Sequence, residues 1–519
     1  MLDTDLKQQV KEYFQKLNQD VSILLYEGDH PSREELKSFL IDLASLSDKL
    51  YFKESPDIAT GIYFELYRAD GSRTGISFDG IPGGHEFSSL ILAILQTGGY
   101  SIKLDDSIQS VLARYESPLV FETFVSLDCH NCPEVVQTLN SFALLNPHIK
   151  NKMIDGALFP EIIKERNIQG VPAVYLNGKR FLSGQADTSK IFDKLLEAYP
   201  QTQIISQEEN PKANFIYDVV VIGGGPSGIA SAVYTARKGL DVLVIADRIG
   251  GQVKDTMGIE NIISMHYTTG PELTKTLIQQ LESNKVQKKE NVRVTHIEPG
   301  ATKKITLNTG EIILAKTIIV STGAKWRELG VPGEKENVGK GVAYCPHCDG
   351  PFFKGKDVVV VGGGNSGIEA ALDLSGIVHS VTVIEYGDQF KADQVLVDKM
   401  KSTSNIKAFL SAQTKEILAE NEKVNGLVFV DRTTQTETKI PTDGVFVQIG
   451  LIPNSGFLNG LVETNRFGEI LVDEKCRTNV EGIFACGDVT QTPYKQIIIA
   501  MGEGAKAAIS AFEHLMLAA

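Results

Sequence analysis

Positive charge is scarce in this chain. Its 51 Lys and Arg are outnumbered by 65 Asp and Glu, leaving a net charge of −14. That balance argues against nucleic acid or anionic membrane as the main partner, and plain solubility accounts for it. No segment approaches a run of about eighteen apolar residues, so no membrane span is expected. The first residues, Met1 to Asp20, are polar and mixed in charge, without the apolar centre of a signal peptide. A cytoplasmic location is the expectation. Trp326 and the nine histidines show no ligand-like spacing, so no metal is expected. Cysteine is sparse as well: six residues, at 129, 132, 345, 348, 476 and 486. Cys476 and Cys486 stand alone and read as buried, inert thiols. The other four form two CxxC pairs, which in a reducing cytosol are more often catalytic or metal-binding than structural. A shared Cys₄ zinc site is the rival reading. The wide separation of the pairs and their different surroundings weigh against it.

Glycine is plentiful where it matters. The apolar run Asp218 to Ile222 leads directly into Gly223-x-Gly225-x-x-Gly228, a helical stretch to Lys238, and a second apolar run, Asp241 to Ile245. The same plan recurs at Val358 to Val361, Gly362-x-Gly364-x-x-Gly367 and Ser380 to Ile384. A strand, a glycine loop and a helix together form the dinucleotide fingerprint in its required context. The glycines let the backbone approach a pyrophosphate, and the helix N-terminus stabilises its charge. Pro226 and Ser227, and Asn365 and Ser366, fill the loops. Glu385 follows the second strand, about twenty residues beyond its fingerprint, where an acid accepts the ribose hydroxyls of NAD and repels a 2′-phosphate. The run Glu385-Tyr386-Gly387-Asp388 carries no Arg, so NADH is expected over NADPH. In the first unit the equivalent position is Ala246, and Asp247, one residue later, is the candidate for the second ribose.

The N-terminal half reads as one mixed α/β plan used twice. Residues 1–100 offer a strand at Val21 to Tyr26, a helix from Arg33 to Leu46 capped by Ser32, strands at Gly61 to Leu66 and Thr74 to Phe78, and a helix from Glu86 to Leu95. Residues 101–200 repeat it, with Cys129-His130-Asn131-Cys132 between the strand Leu119 to Val125 and the helix Glu134 to Leu145. Val171-Pro172 precedes another strand. The first copy has Gly28-Asp29-His30 where the second has cysteines. The polar stretch 201–214 reads as a linker.

The strand–CxxC–helix unit followed by Val-Pro resembles the thioredoxin and glutaredoxin family. A Cys at a helix N-terminus feels the positive end of the helix dipole, which favours the thiolate. Cys129 is then the attacking thiol and Cys132 the resolving one; the bland alternative is a pair of structural thiols. The resemblance implies that Pro172 is cis and lies beside the disulfide. His130 is either a group that tunes the thiolate or an ordinary exposed histidine.

Thr322-Gly323 and Gly487-Asp488, each at the end of an apolar run, resemble motifs of flavoproteins with two dinucleotide-binding domains, where the Gly-Asp carboxylate holds the ribityl chain. Flavin contacts at Gly251, Gln252 and Gln496 are further implications of that resemblance. The stretch Gly341-Val342-Ala343-Tyr344-Cys345-Pro346-His347-Cys348-Asp349-Gly350 puts a dithiol inside the NAD domain, as in low-molecular-weight thioredoxin reductases. The doubled N-terminal half added to this resembles the flavoprotein subunits of bacterial alkyl hydroperoxide reductases.

The expected fold class is α/β: two tandem thioredoxin-like folds (1–100, and 101–200 with CxxC), a linker (201–214), then two Rossmann-like FAD/NAD(P)-binding domains. The FAD domain comprises an opening segment (215–330) and a closing segment (454–519), with the NAD domain and its CxxC inserted between them (331–453). The resemblance implies FAD and NADH as cofactors, a peroxiredoxin partner and a homodimer. It implies a relay from NADH through FAD to Cys345/Cys348, with Cys348 nearer the flavin. Cys345 attacks Cys129–Cys132, and Cys129 attacks the peroxiredoxin disulfide. Asp349 is either the acid–base that handles the thiol proton or a helix-capping residue. One disulfide cannot touch both a buried flavin and a distant disulfide, so the NAD domain is expected to rotate on hinges near Gly330 and Gly450. Two alternatives stand beside this reading. One is a thioredoxin-reductase-like enzyme whose fused thioredoxin-like domain serves general dithiol partners. The other is a scaffold with relic nucleotide sites, against which the intact glycines and cysteine pairs weigh.

Overall fold

Alternating buried and half-buried side chains over Val21–Glu27 make the first strand, β1, one face of which enters the core. It is described in a computed structural model covering residues 4–518 apart from Gln169, Gln185, 201–214, Met257 and Glu422. The expected linker lies outside the described residues. The chain divides into two compact units. One is Met1–Asn214 with Glu290–Arg293 and Thr306–Ile312; the other is Phe215–Lys289, Val294–Ile305 and Ile313–Ala519.

In the first unit β1 is followed by β2 (Leu50–Ile58), β3 (Tyr63–Tyr67), β4 (Arg73–Asp79), β5 (Leu119–Val125), β6 (Ile149–Asp155), β7 (Ala173–Leu176) and β8 (Lys179–Ser183). They form one eight-stranded sheet, ordered β2-β1-β3-β4-β6-β5-β7-β8. Each half repeats the same pairing: a parallel pair, β1 with β2 or β5 with β6, then two antiparallel strands. The halves join through the parallel pair β4 and β6, with Ile76 opposite Asn151. Two thioredoxin-like folds thus share one continuous sheet.

Several local readings need correction. Strand β2 was not expected; it is an edge strand with most side chains in solvent, so its sequence lacks the apolar alternation that marks a buried strand. Ser32 sits at the N-cap of the helix Arg33–Ala44, yet its side chain makes no capping bond, and that helix ends two residues short of Leu46. The helix after the first glycine loop runs from Pro226 to Ala236 and so stops short of Lys238; proline is pre-organised for its first position. The CxxC helix starts at Cys132, two residues before the expected Glu134.

In the second unit the parallel strands Ile216–Ile222, Val242–Ala246, Ile312–Val320 and Ile483–Ala485 form the centre of a seven-stranded sheet. A five-stranded parallel sheet is built from Val342–Ala343, Asp357–Val361, Ser380–Ile384, Ile406–Phe409 and Gly444–Val447. The central strands of both sheets, such as Ile216–Ile222, Val242–Ala246, Asp357–Val361 and Gly444–Val447, are nearly continuous buried apolar runs, as expected for strands covered on both faces. The chain crosses between them twice. Ala324–Trp326 pairs antiparallel with Leu451–Pro453 at these crossings, and the Arg327 amide donates to the Gly450 carbonyl at 3.0 Å. Gly330 and Gly450 have φ of +72° and +102°, a region that favours glycine.

Candidate functional site

The two glycine loops have the same internal geometry. A Cβ on Gly223 would overlap the Ser321 carbonyl, and one on Gly228 would overlap the Gly223 carbonyl. In the second loop, a Cβ on Gly362 would overlap the Gln448 carbonyl and one on Gly367 the Gly362 carbonyl. The first and third glycines are therefore fixed by protein packing. Around the middle glycines, Gly225 and Gly364, nothing lies within 4 Å of an added Cβ. Each of these two N-caps the following helix, Pro226–Ala236 or Asn365–Ser375, and faces open space at a helix N-terminus. That is the cradle a pyrophosphate needs, so the residues fit dinucleotides at both loops.

Other expected flavin residues gather at the first loop. Gly251 packs against Gly225, and a Cβ on Gly487 would lie 2.6 Å from Ser227 Oγ. Asp488, next to it, is half-buried, and desolvation raises its pKa while Lys495 opposes the rise. Thr322 Oγ1 donates to the Asn454 carbonyl at 2.7 Å, and the Asn454 amide donates to the Gly323 carbonyl at 2.9 Å. Gln252 Nε2 donates to the Ala324 carbonyl. Asp247 follows the strand Val242–Ala246 directly.

At the second loop, Glu385 accepts from the Gly363 amide at 2.6 Å and from the Gly387 amide at 2.7 Å, which fixes its carboxylate against the loop. Asn365 Oδ1 accepts from the Asp393 amide at 2.8 Å, and Ser366 lies in the first turn of the helix. Sequence reasoning missed one neighbour. Arg432 stacks on Tyr386, 3.9 Å from the ring centroid, and donates to its carbonyl at 2.9 Å. The run after Glu385 holds no Arg, but the fold supplies one from 46 residues away.

Cys345 is disulfide-bonded. It precedes the helical turn Pro346–Asp349, which contains Cys348; the Cys348 side chain lies outside the described residues. Gln496 Nε2 lies 3.9 Å from Cys345 Sγ, so the dithiol segment meets a residue expected at the flavin. Asp349 is pushed up to about 6 by desolvation, partly offset by a backbone hydrogen bond. It occupies the N-cap of the turn Gly350–Phe353, but its side chain makes no capping bond.

The other pair is built differently. Cys129 is half-buried, and its thiol lies 3.8 Å from the carbonyl of Val171. The Val171–Pro172 bond is cis. Cys132 is fully buried, and its thiol is pushed up by desolvation and then by Cys129. Both are free thiols. A carboxyl that no motif marks stands nearby. The turn Gly84–Glu86, from the first fold, backs onto this site: the His85 amide donates to the Leu127 carbonyl at 2.9 Å, and the His85 and His130 rings lie 4.0 Å apart. Glu86 is fully buried, and neither oxygen has a partner of hydrogen-bonding geometry. Desolvation raises its pKa to about 7, with Ser89 close enough to offset some of the rise. Its charge also disfavours the Cys132 thiolate.

The two lone cysteines are buried. Desolvation pushes Cys486 up to about 12 and raises Cys476 as well. Among the described residues, no group of three or more His, Cys, Asp or Glu is placed to hold a metal ion, and no helix is long and apolar enough to cross a membrane.

Residues 217–504 match the pyridine nucleotide-disulphide oxidoreductase family, and residues 121–197 match a thioredoxin domain. The chain is 46% identical over 520 residues to the F subunit of alkyl hydroperoxide reductase from Escherichia coli K12, covering 99% of both chains. It is 45% identical to the F subunit from Staphylococcus aureus, covering 99% of this chain and 100% of that one. The chain belongs to the family of alkyl hydroperoxide reductase F subunits. A Bacillus subtilis relative, 44% identical with 99% of each chain covered, carries the name NADH dehydrogenase. Among solved structures, thioredoxin reductase of Streptococcus pyogenes MGAS5005 superposes with a TM-score of 0.56 at 36% identity, covering 58% of this chain and 99% of that one. Thioredoxin reductase of Giardia duodenalis does so with the same score and coverage at 31% identity. As a member of the F-subunit family, the protein is an FAD-containing disulfide oxidoreductase that uses a pyridine nucleotide.

Proposed function

We propose that the protein carries electrons from NADH through FAD to Cys345/Cys348, then to Cys129/Cys132, and finally to a partner peroxiredoxin that reduces alkyl hydroperoxides and hydrogen peroxide. The observation that supports this reading is the contact of Cys345 with Gln496, a residue that the resemblance assigns to the flavin. When bound, FAD supplies two-electron chemistry between a hydride donor and a disulfide. The first loop (Gly223, Gly225, Pro226, Ser227, Gly228), with Asp247, Gly251, Gln252, Thr322, Gly323, Gly487, Asp488 and Gln496, holds it. The second loop (Gly362, Gly364, Asn365, Ser366, Gly367) holds NADH, and Glu385 presents an anchored carboxylate to the ribose.

The chain's own groups handle the protons. Asp349, raised toward neutrality and uncommitted to a cap, exchanges a proton with the departing thiol of the first pair. Cys345 then attacks the Cys129–Cys132 disulfide. Cys129, the more exposed of its pair, attacks the peroxiredoxin, and buried Cys132 resolves the mixed disulfide. Gly330 and Gly450 serve as hinges between the positions of the first dithiol. The same reading makes the protein a cytoplasmic homodimer.

NADH oxidation with a peroxiredoxin and peroxide tests this. Turnover should require both cysteine pairs, and equal turnover by Cys129→Ser would overturn it. NADPH supporting a clearly higher kcat/KM than NADH would overturn the assignment of Glu385.

A further inference from the structure

Tyr344, immediately before the redox Cys345, is bound to both chain crossings. Its hydroxyl donates to Glu334 Oε1 at 2.9 Å. Glu334 is fully buried. Its two oxygens also accept from the amides of Leu329 at 2.8 Å and Gly330 at 2.7 Å, the first crossing. The Tyr344 carbonyl accepts from Gln448 Nε2 at 2.8 Å. Gln448 is itself buried and lies two residues before Gly450, the second crossing. Its carbonyl fills the space beside Gly362, so it also abuts the second glycine loop. The Tyr344 ring stacks toward Trp326, with centroids 6.2 Å apart and planes 24° apart, and Trp326 lies in the crossing strand Ala324–Trp326.

A buried carboxylate with three donors is costly to disturb, because losing one leaves charge poorly compensated in a low dielectric. Tyr344 donates one of the three, and the other two are hinge amides. A change of backbone angle at Gly330 therefore strains the bond that positions the residue next to Cys345.

We infer that Tyr344 is a positioning residue that couples the hinge conformation to the placement of the Cys345 disulfide through Glu334 and Gln448. The inference rests on the proposed role of Cys345/Cys348 as the pair that meets the flavin. In Tyr344→Phe the ring is kept and the Glu334 bond is lost. The disulfide should then be held less firmly in its flavin-facing position, while the glycine cradles are untouched.

The test uses the full-length flavin-loaded protein. Stopped-flow mixing with NADH separates flavin reduction from electron transfer to the disulfide. The second phase should slow by roughly five- to tenfold in Tyr344→Phe, the loss expected of about one hydrogen bond, with the first phase unchanged. Trp326, the single Trp, should show altered emission before any NADH is added, a readout independent of turnover. Glu334→Gln should reproduce both effects. Wild-type phases and emission in folded Tyr344→Phe would overturn the coupling. So would both phases falling together in step with lost flavin or stability, which marks a merely structural residue. Cys345→Ser, run in parallel, separates the two claims through NADH-driven reduction of the Cys129–Cys132 disulfide: if that reduction persists, the proposed function fails; if it is lost while Tyr344→Phe behaves as wild type, only the coupling fails.

Discussion

The two CxxC sites use the same sulfur spacing but obtain their nearby carboxyl by different routes. At Cys345 the acid is local: Asp349 follows Cys348 directly, and burial raises it to about 6. At Cys129 it is remote: Glu86 belongs to the other thioredoxin-like fold, and burial raises it to about 7. The thiols differ too. Cys345 is in a disulfide, whereas Cys129 is a half-exposed free thiol over a fully buried Cys132. A fold without cysteines of its own thus holds a position against its neighbour's CxxC turn, because the shared sheet keeps the two halves in fixed register. A degenerate repeat can remain within a site through packing alone.

The largest test of the contrast removes sulfur. Cys129→Ser and Cys345→Ser should each lower peroxiredoxin-coupled NADH oxidation by about 10³-fold or more. They should differ in one respect: Cys129→Ser retains NADH-driven electron transfer to Cys345/Cys348, measurable as thiols formed per flavin. Next, Asp349→Asn should slow thiol proton exchange by about 10²-fold and remove a limb near pH 6 from the rate profile of the first pair only. An unchanged profile would make Asp349 a bystander.

Glu86 should act mainly on stability. Its folded pKa of about 7 exceeds the ordinary 4.5, so the folded protein binds the extra proton. Stability should therefore fall as pH rises from 4.5 to about 7 and stay level above, a loss of up to about 3 kcal/mol. Glu86→Gln should flatten that slope in denaturant titrations of the reduced protein. The smallest effect is expected at the lone thiols. Cys486→Ala should leave every electron-transfer phase unchanged and cost about 1 kcal/mol of stability.

Much of this molecule was legible in order along the chain. The glycine loops, the strands that precede them and both CxxC pairs are local patterns, because a pyrophosphate cradle and a strand–helix turn each need only a few consecutive residues. Edge strand β2 was not legible, since solvent on both faces erases the alternation that reveals a strand. Nor was the start of the CxxC helix at Cys132, which the run of apolar residues beginning later concealed.

The sequence alone determined the kinds of chemistry available: two dinucleotide fingerprints, two CxxC pairs and no excess of positive charge. Only the tertiary structure decided which groups meet. It brought Glu86 to Cys132, Arg432 to Tyr386 and Gln496 to Cys345. Local patterns are set by backbone geometry over one or two turns, but the electrostatic surroundings of a thiol are set by whatever the sheet packs against it, however far away in sequence that residue lies.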